Sequence, residues 1–323
     1  MTLDLLHYGF MQRALLAALL VGLTAPSVGV YIVQRRLALI GDGMGHVALA
    51  GVALGVLTTG QPVLTALVAA VAGAVVIELV RARGRTSGDV ALAIMFYGGI
   101  AAGVVIISQA PGGTPANLNA YLFGAITTTS RTDLLVFAAL AVVVLTVTVG
   151  LAPRLFAVSN DEEYARAAGL PVLPINLLLA VITAATVVIS MRVVGLLLIS
   201  ALMVVPVATG QLLVGSFRAT LALAVGIGLV VSVGGTVTSY YANTPSGGTI
   251  VLLAVALFAV TASATAARAR LRRDTHDEAE DHLHRHGEGC GHPVVPHDDH
   301  LDFVHDGHRH ATHGAHYDEH GDP

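Results

Sequence analysis

The sequence predicts an all-α polytopic membrane protein, with eight to nine transmembrane helices and a disordered C-terminal tail. Three observations predict it. Apolar runs of about 20 residues, the length that crosses roughly 30 Å of hydrocarbon, recur along the first 267 positions. Only 12% of residues are charged and 54% are hydrophobic, whereas soluble chains carry about 25% charge. The charge is also split: residues 1–273 hold 15 Arg against 8 acidic groups, whereas 274–323 hold 2 Arg against 13 acidic groups and 13 of the 15 His. The expected domains are a membrane domain over 1–270 and a His/Asp-rich tail over 271–323.

Nine apolar spans lie near 12–33, 37–58, 62–80, 89–109, 132–151, 173–191, 194–214, 219–240 and 248–267. The count becomes eight if two short spans form one broken helix. The first follows Arg13 and ends "LTAPS", like a secretory leader, but it continues to Val33 and outruns a typical h-region. Arg35/Arg36, Arg81/Arg83/Arg85, Arg154/Arg166, Arg218 and Arg268/Arg270/Arg272/Arg273 fall in alternate loops. The positive-inside rule then puts the N-terminus outside and the tail in the cytoplasm of a multi-pass cytoplasmic-membrane protein. Arg131 and Arg192 sit on the other side of that scheme. The intervening loops, such as "TTGQP" and "YANTPSGGT", are poor in charge and rich in turn formers. Small residues in "YGGIAAGVV" and "VSVGGTVTSYY" point to close helix packing.

Composition excludes several functions. The chain has no lysine, so it has no Walker A loop and binds no nucleotide through one. A single cysteine, Cys290, forbids an intrachain disulfide. No His-Glu-x-x-His pattern occurs and only His7 and His46 precede the tail, which argues against an intramembrane metalloenzyme.

The stretch "LIGDGMGHVALAG" places Asp42 and His46 inside an apolar run. Counted from Arg36, they lie roughly 9 and 15 Å into the bilayer. Positions i and i+4 share a helix face. A carboxylate at such depth costs at least about 2.5 kcal/mol, so it needs a cavity, a partner or an ion. Carboxylate plus imidazole suits Zn²⁺ or Mn²⁺; structural hydrogen bonding and a proton relay remain alternatives on spacing alone. A second polar interval, "RLFAVSNDEEYARAAGLPV", opens a short helix with Asp161, Glu162 and Glu163 and ends it at Gly169-Leu170-Pro171. Acid at the start and base toward the end suit the helix dipole. It reads as an amphipathic loop helix or a docking helix for a cytoplasmic partner.

These segments, with "RVVGLLLISALMVVPVATGQLL", "YLFGAITTTSRTDL" and "GDVALAIMFYGGIAAGVVIIS", occur in an order similar to the membrane permease subunits of zinc/manganese-type ABC importers, the ABC-3 family. The resemblance spans nearly all of 10–267. It implies that Asp42 and His46 line the metal path. It also implies that "NDEEYARAAGL" is the coupling helix that inserts into an ATPase subunit, with Glu162, Glu163, Ala165, Arg166 and Gly169 as its coupling residues. The chain departs from the family pattern at Gly43-Met44-Gly45, where Ala-x-Ser is common, and at Ala50, where Pro is common; neither change removes a ligand. The implied machine is a permease homodimer in the lipid bilayer, a pair of cytoplasmic ABC ATPase subunits and an extracellular metal-binding protein, with no nucleic acid.

The tail's low apolar content predicts disorder, and its His/Asp/Glu tracts predict loose divalent-metal binding. Candidate ligands are His282, His284, His286, Cys290, His292, His305, His308, His310 and His313. Imidazole-rich sets favour Zn²⁺ over Mn²⁺, which tilts the expected cargo toward zinc. The competing reading is a stand-alone secondary divalent-metal carrier with a metal-buffering tail. Such a carrier needs more intramembrane acids than Asp42 and Glu78, and no docking helix.

Overall fold

The computed structural model describes residues 7–58, 60–84, 88–109, 118–124, 129–191, 194–196, 198–273, 291–297, 300–305, 308–313 and 316–320. The helices are α1 (Gly9–Gln34), α2 (Ile40–Leu57), α3 (Pro62–Ala82), α4 (Gly88–Ile107), α5 (Leu118–Phe123), α6 (Arg131–Gly150), α7 (Ala152–Asn160), α8 (Glu162–Ala167), α9 (Val172–Ser190), α10 (Ile199–Leu213), α11 (Phe217–Ala242) and α12 (Ser246–Arg273). Among the described residues, eight are long and apolar enough to cross a membrane, and α10 is a shorter apolar helix. This agrees with eight to nine spans. The span expected from 194 becomes helical only at Ile199. Gly195 adopts φ +96°, and the Leu196 N–H donates to the Tyr121 carbonyl at 2.9 Å, so this backbone is committed to α5 before a helix can start. Arg192 and the loop at 110–117 lie outside the described residues.

Small residues set how closely these helices approach. Gly22 of α1 and Gly228 of α11 lie so near that a Cβ on Gly22 would stand 2.7 Å from the Gly228 carbonyl oxygen. Gly99 and Gly103 of "YGGIAAGVV" do the same for α4. Gly43 meets Leu92 and Met95, Gly99 meets His46 and Val47, and Gly103 meets Leu49 and Ala50. Residue numbers rise together along the two helices, so α2 and α4 lie side by side and parallel. Gly45 faces the Leu196 carbonyl oxygen, which would stand 3.0 Å from an added Cβ. Tyr31 of α1 is wholly enclosed and donates its hydroxyl to the Thr148 carbonyl of α6 at 2.7 Å.

The chain divides into two compact units, 1–261 and 262–323. The second contains the end of α12 and a sheet that composition did not reveal. Strands β1 (Val294–His297), β2 (His300–His305), β3 (His308–His313) and β4 (His316–His320) pair antiparallel in the order β1-β2-β3-β4. The expectation of disorder rested on the lack of an apolar core. Two-residue connections between successive strands favour tight hairpins, a local signal that composition does not contain.

Gly98 and Gly99 give a matched test. A Cβ on Gly99 would stand 2.7 Å from the backbone of His46 and Val47, whereas one on Gly98 meets nothing within 4 Å. Gly99→Val is expected to cost at least the roughly 1–3 kcal/mol of an overpacked core, and so to lower the thermal midpoint of the solubilised protein. Gly98→Val should leave that midpoint nearly unchanged.

Candidate metal site and coupling cluster

Asp42 and Glu78, the two acids that the sequence places inside spans, meet opposite environments. Asp42 sits in the first turn of α2, where the helix dipole favours negative charge. Its Oδ1 accepts a hydrogen bond from the Ser200 hydroxyl at the start of α10. Among the described residues no arginine pairs with it. It opens instead on a cavity of about 360 Å³ lined by Leu39, Asp42, Leu92, Ala93, Phe96 and Tyr97. One turn later, the half-buried His46 ring lies edge-on to Phe96, with centroids 4.3 Å apart at 74°. Asp42 and His46 thus both face α4, with Phe96 beside each. Among the described residues, no group of three or more His, Cys, Asp and Glu is placed to hold a metal ion, so this chain offers one carboxylate, one imidazole and a hydroxyl.

Glu78 of α3 is 1% exposed and fully compensated. It lies 2.8 Å from Arg81 and 3.5 Å from Arg35. The same two guanidiniums grip α8. Glu162 Oε1 accepts from Arg81 at 2.6 Å, Arg35 at 2.9 Å and the Asn176 amide at 3.1 Å. One oxygen of α8 is therefore tied to the ends of α1, α3 and α9. A cavity of about 570 Å³ opens beside it, lined in part by Glu78, Arg81, Glu162, Arg166 and Asn176. The helix itself is built as the sequence suggests: the Asp161 side chain caps it by accepting from Tyr164 N–H at 2.9 Å. Gly169 closes it at φ +79°, a conformation that glycine adopts without strain.

Residues 7–265 match the model of the ABC 3 transport family. This chain belongs to the ABC-3 family. A manganese transport system membrane protein, MntC, of Halalkalibacterium halodurans is 33% identical over 257 residues, covering 80% of this chain and 88% of that protein. A probable metal transport system membrane protein of Treponema pallidum is 35% identical over 272 residues, covering 82% of this chain and 100% of that protein. The solved structure of PsaBC from Streptococcus pneumoniae in complex with Fab has a chain similar to this one at TM-score 0.72 and 30% identity, covering 80% of this chain and 92% of that one.

Within this ABC-3 chain, the expected coupling residues divide in two. Glu162 and the buried Ala165 turn inward to the bundle, while Glu163 and Arg166 stay exposed together with Tyr164, 68% exposed. The sequence reading missed Ser200, Phe96 and the pairing of Glu162 with Arg35 and Arg81. Those arginines carried only an orientation signal, and their distance along the chain from Glu162, 127 and 81 residues, leaves no local pattern. In the tail, His282, His284, His286 and Cys290 lie outside the described residues. His292 precedes β1, His305 ends β2, and His308, His310 and His313 fall in β3.

Burial raises the Glu162 pKa, but the hydrogen bonds and charges of Arg81 and Arg35 outweigh burial and hold it below its ordinary 4.5. A depressed folded value gives stability that is fully present above the ordinary value and lost as pH falls through the folded one. The thermal midpoint should gain nothing from acidification between pH ~7 and ~5, then drop below pH ~4. Glu162→Gln should weaken that acid-side drop. Glu78→Ala should cost roughly 3–5 kcal/mol, because it strips buried guanidiniums of a partner, and Glu162→Gln should cost far less, since Glu78 remains. Thermal scans of both variants across pH check the order.

Proposed function

We propose that this ABC-3 chain is the membrane permease subunit of an ABC importer for a divalent transition metal. Asp42 and His46 line the path of the ion, and a separate ATPase supplies the energy. The observation that carries the proposal is the contrast between the two intramembrane acids. Glu78 is neutralised by two guanidiniums, whereas Asp42 has one hydroxyl partner, a neighbouring imidazole and an open cavity. A carboxylate left so lightly compensated in an apolar bundle is poised for a cation. Two copies of the chain bring two carboxylates and two imidazoles together, enough for a four-ligand shell.

Manganese stands first among the cargoes and zinc second. The tilt to zinc came from tail imidazoles, which belong to a separate compact unit. The path offers carboxylate and hydroxyl oxygens with one imidazole, donors that Mn²⁺ accepts as readily as Zn²⁺. Relatives bear manganese names, and one of Haemophilus influenzae is called a probable iron transport system membrane protein. The exposed face of α8 carries Glu163, Tyr164 and Arg166 toward the ATPase pair. Ion delivery falls to an external metal-binding protein.

The test is ATP-dependent uptake of manganese and zinc into vesicles holding the assembled transporter. Asp42→Ala and His46→Ala should each abolish uptake, whereas a chain ending at Arg273 should keep it. Full uptake by the double variant would make the pair a packing feature and overturn the proposal. Uptake of zinc alone would reverse the order of cargoes.

A further inference from the structure

The cavity of about 570 Å³ beside α8 lies where two spans leave the apolar layer. Its walls include the end of α3, the first turn of α9 at 171–174, and Glu162 and Arg166 of α8. Both α3 and α9 are long and apolar enough to cross a membrane, so their joined ends lie at the level of the lipid headgroups. The volume is in the range of ordinary ligand sites. The rim also has apolar parts, since Leu173 is 39% exposed and Pro174 is exposed beside it.

The cavity offers both donors and acceptors. The donors come from α9 and α8. Helix α9 starts at Pro171 with no side-chain cap. Its Ile175 N–H returns to the Pro171 carbonyl at 3.2 Å and Pro174 has no N–H, so the Val172 and Leu173 N–H groups are the open donors of a helix start, where anions are favoured. Arg166 adds a guanidinium that the acids do not consume, because Glu78 and Glu162 are matched by Arg35 and Arg81. The acceptors come from Glu162 and Asn176. Arg81, Arg35 and Asn176 all donate to Glu162 Oε1, and among the described residues Oε2 receives no hydrogen bond. Asn176, 2% exposed, gives its amide N–H to Glu162 and leaves its Oδ1 with no partner. Reversing that amide would set its oxygen against the carboxylate, so the unmet atom is an acceptor, and a buried acceptor is expensive to leave unmade.

A simple anion suits the donors but meets the acceptors, and a simple cation does the reverse. A ligand that joins a phosphate to a primary ammonium suits both. We propose that this cavity binds the phosphoethanolamine headgroup of a membrane lipid. The phosphate sits at the start of α9 and on Arg166. The ammonium, with three N–H donors, binds Glu162 Oε2, on a side chain 28% exposed, with the enclosed Asn176 Oδ1 as its second acceptor. The level of the cavity and its apolar rim favour a lipid over a soluble phosphate compound, and basic pockets at the ends of spans are a known form of headgroup site. The inference stands apart from the transport reading, because it concerns equilibrium binding by this chain without ATP or partner subunits.

The test is native mass spectrometry of the full chain in detergent, titrated with phosphatidylethanolamine, phosphatidylcholine and phosphatidylglycerol of identical acyl chains. One phosphatidylethanolamine per chain is expected, held about tenfold more tightly than either of the others, the order of one hydrogen bond to a charged group. Phosphatidylcholine keeps the phosphate but has no N–H, and phosphatidylglycerol keeps it but has no ammonium. Arg166→Gln, an exposed change, should weaken all three lipids. Glu162→Gln should bring phosphatidylethanolamine down to the level of phosphatidylcholine without weakening phosphatidylglycerol. Arg83→Gln, also exposed and at the end of α3 but outside the cavity, should change nothing. Equal binding of the three lipids, or an unchanged preference in Glu162→Gln, overturns the proposal. So does displacement of the lipid by soluble phosphoethanolamine at equal concentration, which would make the ligand a soluble one. Loss of the lipid on adding a cytoplasmic ATPase would give the cavity to that protein and overturn it as well.

Discussion

The constraint on which this molecule depends is the cost of holding charge inside an apolar bundle. Water is absent as a ligand there, so every ionised group must find its compensation within the protein. The Glu78, Arg81, Arg35 and Glu162 cluster meets that constraint by pairing each acid with both guanidiniums. Two acids and two guanidiniums interleave within 2.6–3.5 Å. Because its members come from α1, α3 and α8, the cluster makes one electrostatic unit of elements far apart in sequence. Asn176 adds α9 through its amide. A force applied to the short helix α8 therefore meets the ends of three long helices directly, without having to pass through a flexible loop.

Asp42 meets the same constraint only in part, and that difference carries the proposal that it lies on the ion path. Its environment combines a helix N-terminus, a serine hydroxyl and a cavity wall of Phe96 and Tyr97. None of these supplies a full positive charge. The glycines at 43, 45 and 99 bring α4 and the 194–198 segment against α2, so the wall around the carboxylate is made of neighbouring helix surfaces rather than of long side chains. Close packing and the cavity beside Asp42 thus occur together in one region of small residues. On the proposed reading the two intramembrane acids divide the labour, Glu78 holding structure and Asp42 being kept for an ion.

Much of this was legible in the sequence. Span positions followed from apolar length, and the observed helix limits depart from them by a few residues. The cap at Asp161 and the stop at Gly169 are local signals, and both appear where the pattern put them. The face shared by Asp42 and His46 followed from helical periodicity. What was not legible is tertiary or register-dependent. Ser200 comes to Asp42 from 158 residues away. The inward turn of Glu162 is decided by arginines that the sequence offered only as orientation markers. The tail sheet escaped a composition argument because its order lies in the spacing of its strands, not in its residue content.

The most direct measurement of the central claim is anomalous diffraction, or difference density by electron microscopy, from the assembled transporter loaded with manganese. The account predicts density at α2 within coordination distance, about 2.0–2.4 Å, of both the Asp42 carboxylate and the His46 ring, with the Ser200 hydroxyl displaced from its hydrogen bond or joining the shell. Manganese found elsewhere along the chain, with Asp42 still bound to Ser200 and no density between it and His46, would contradict it.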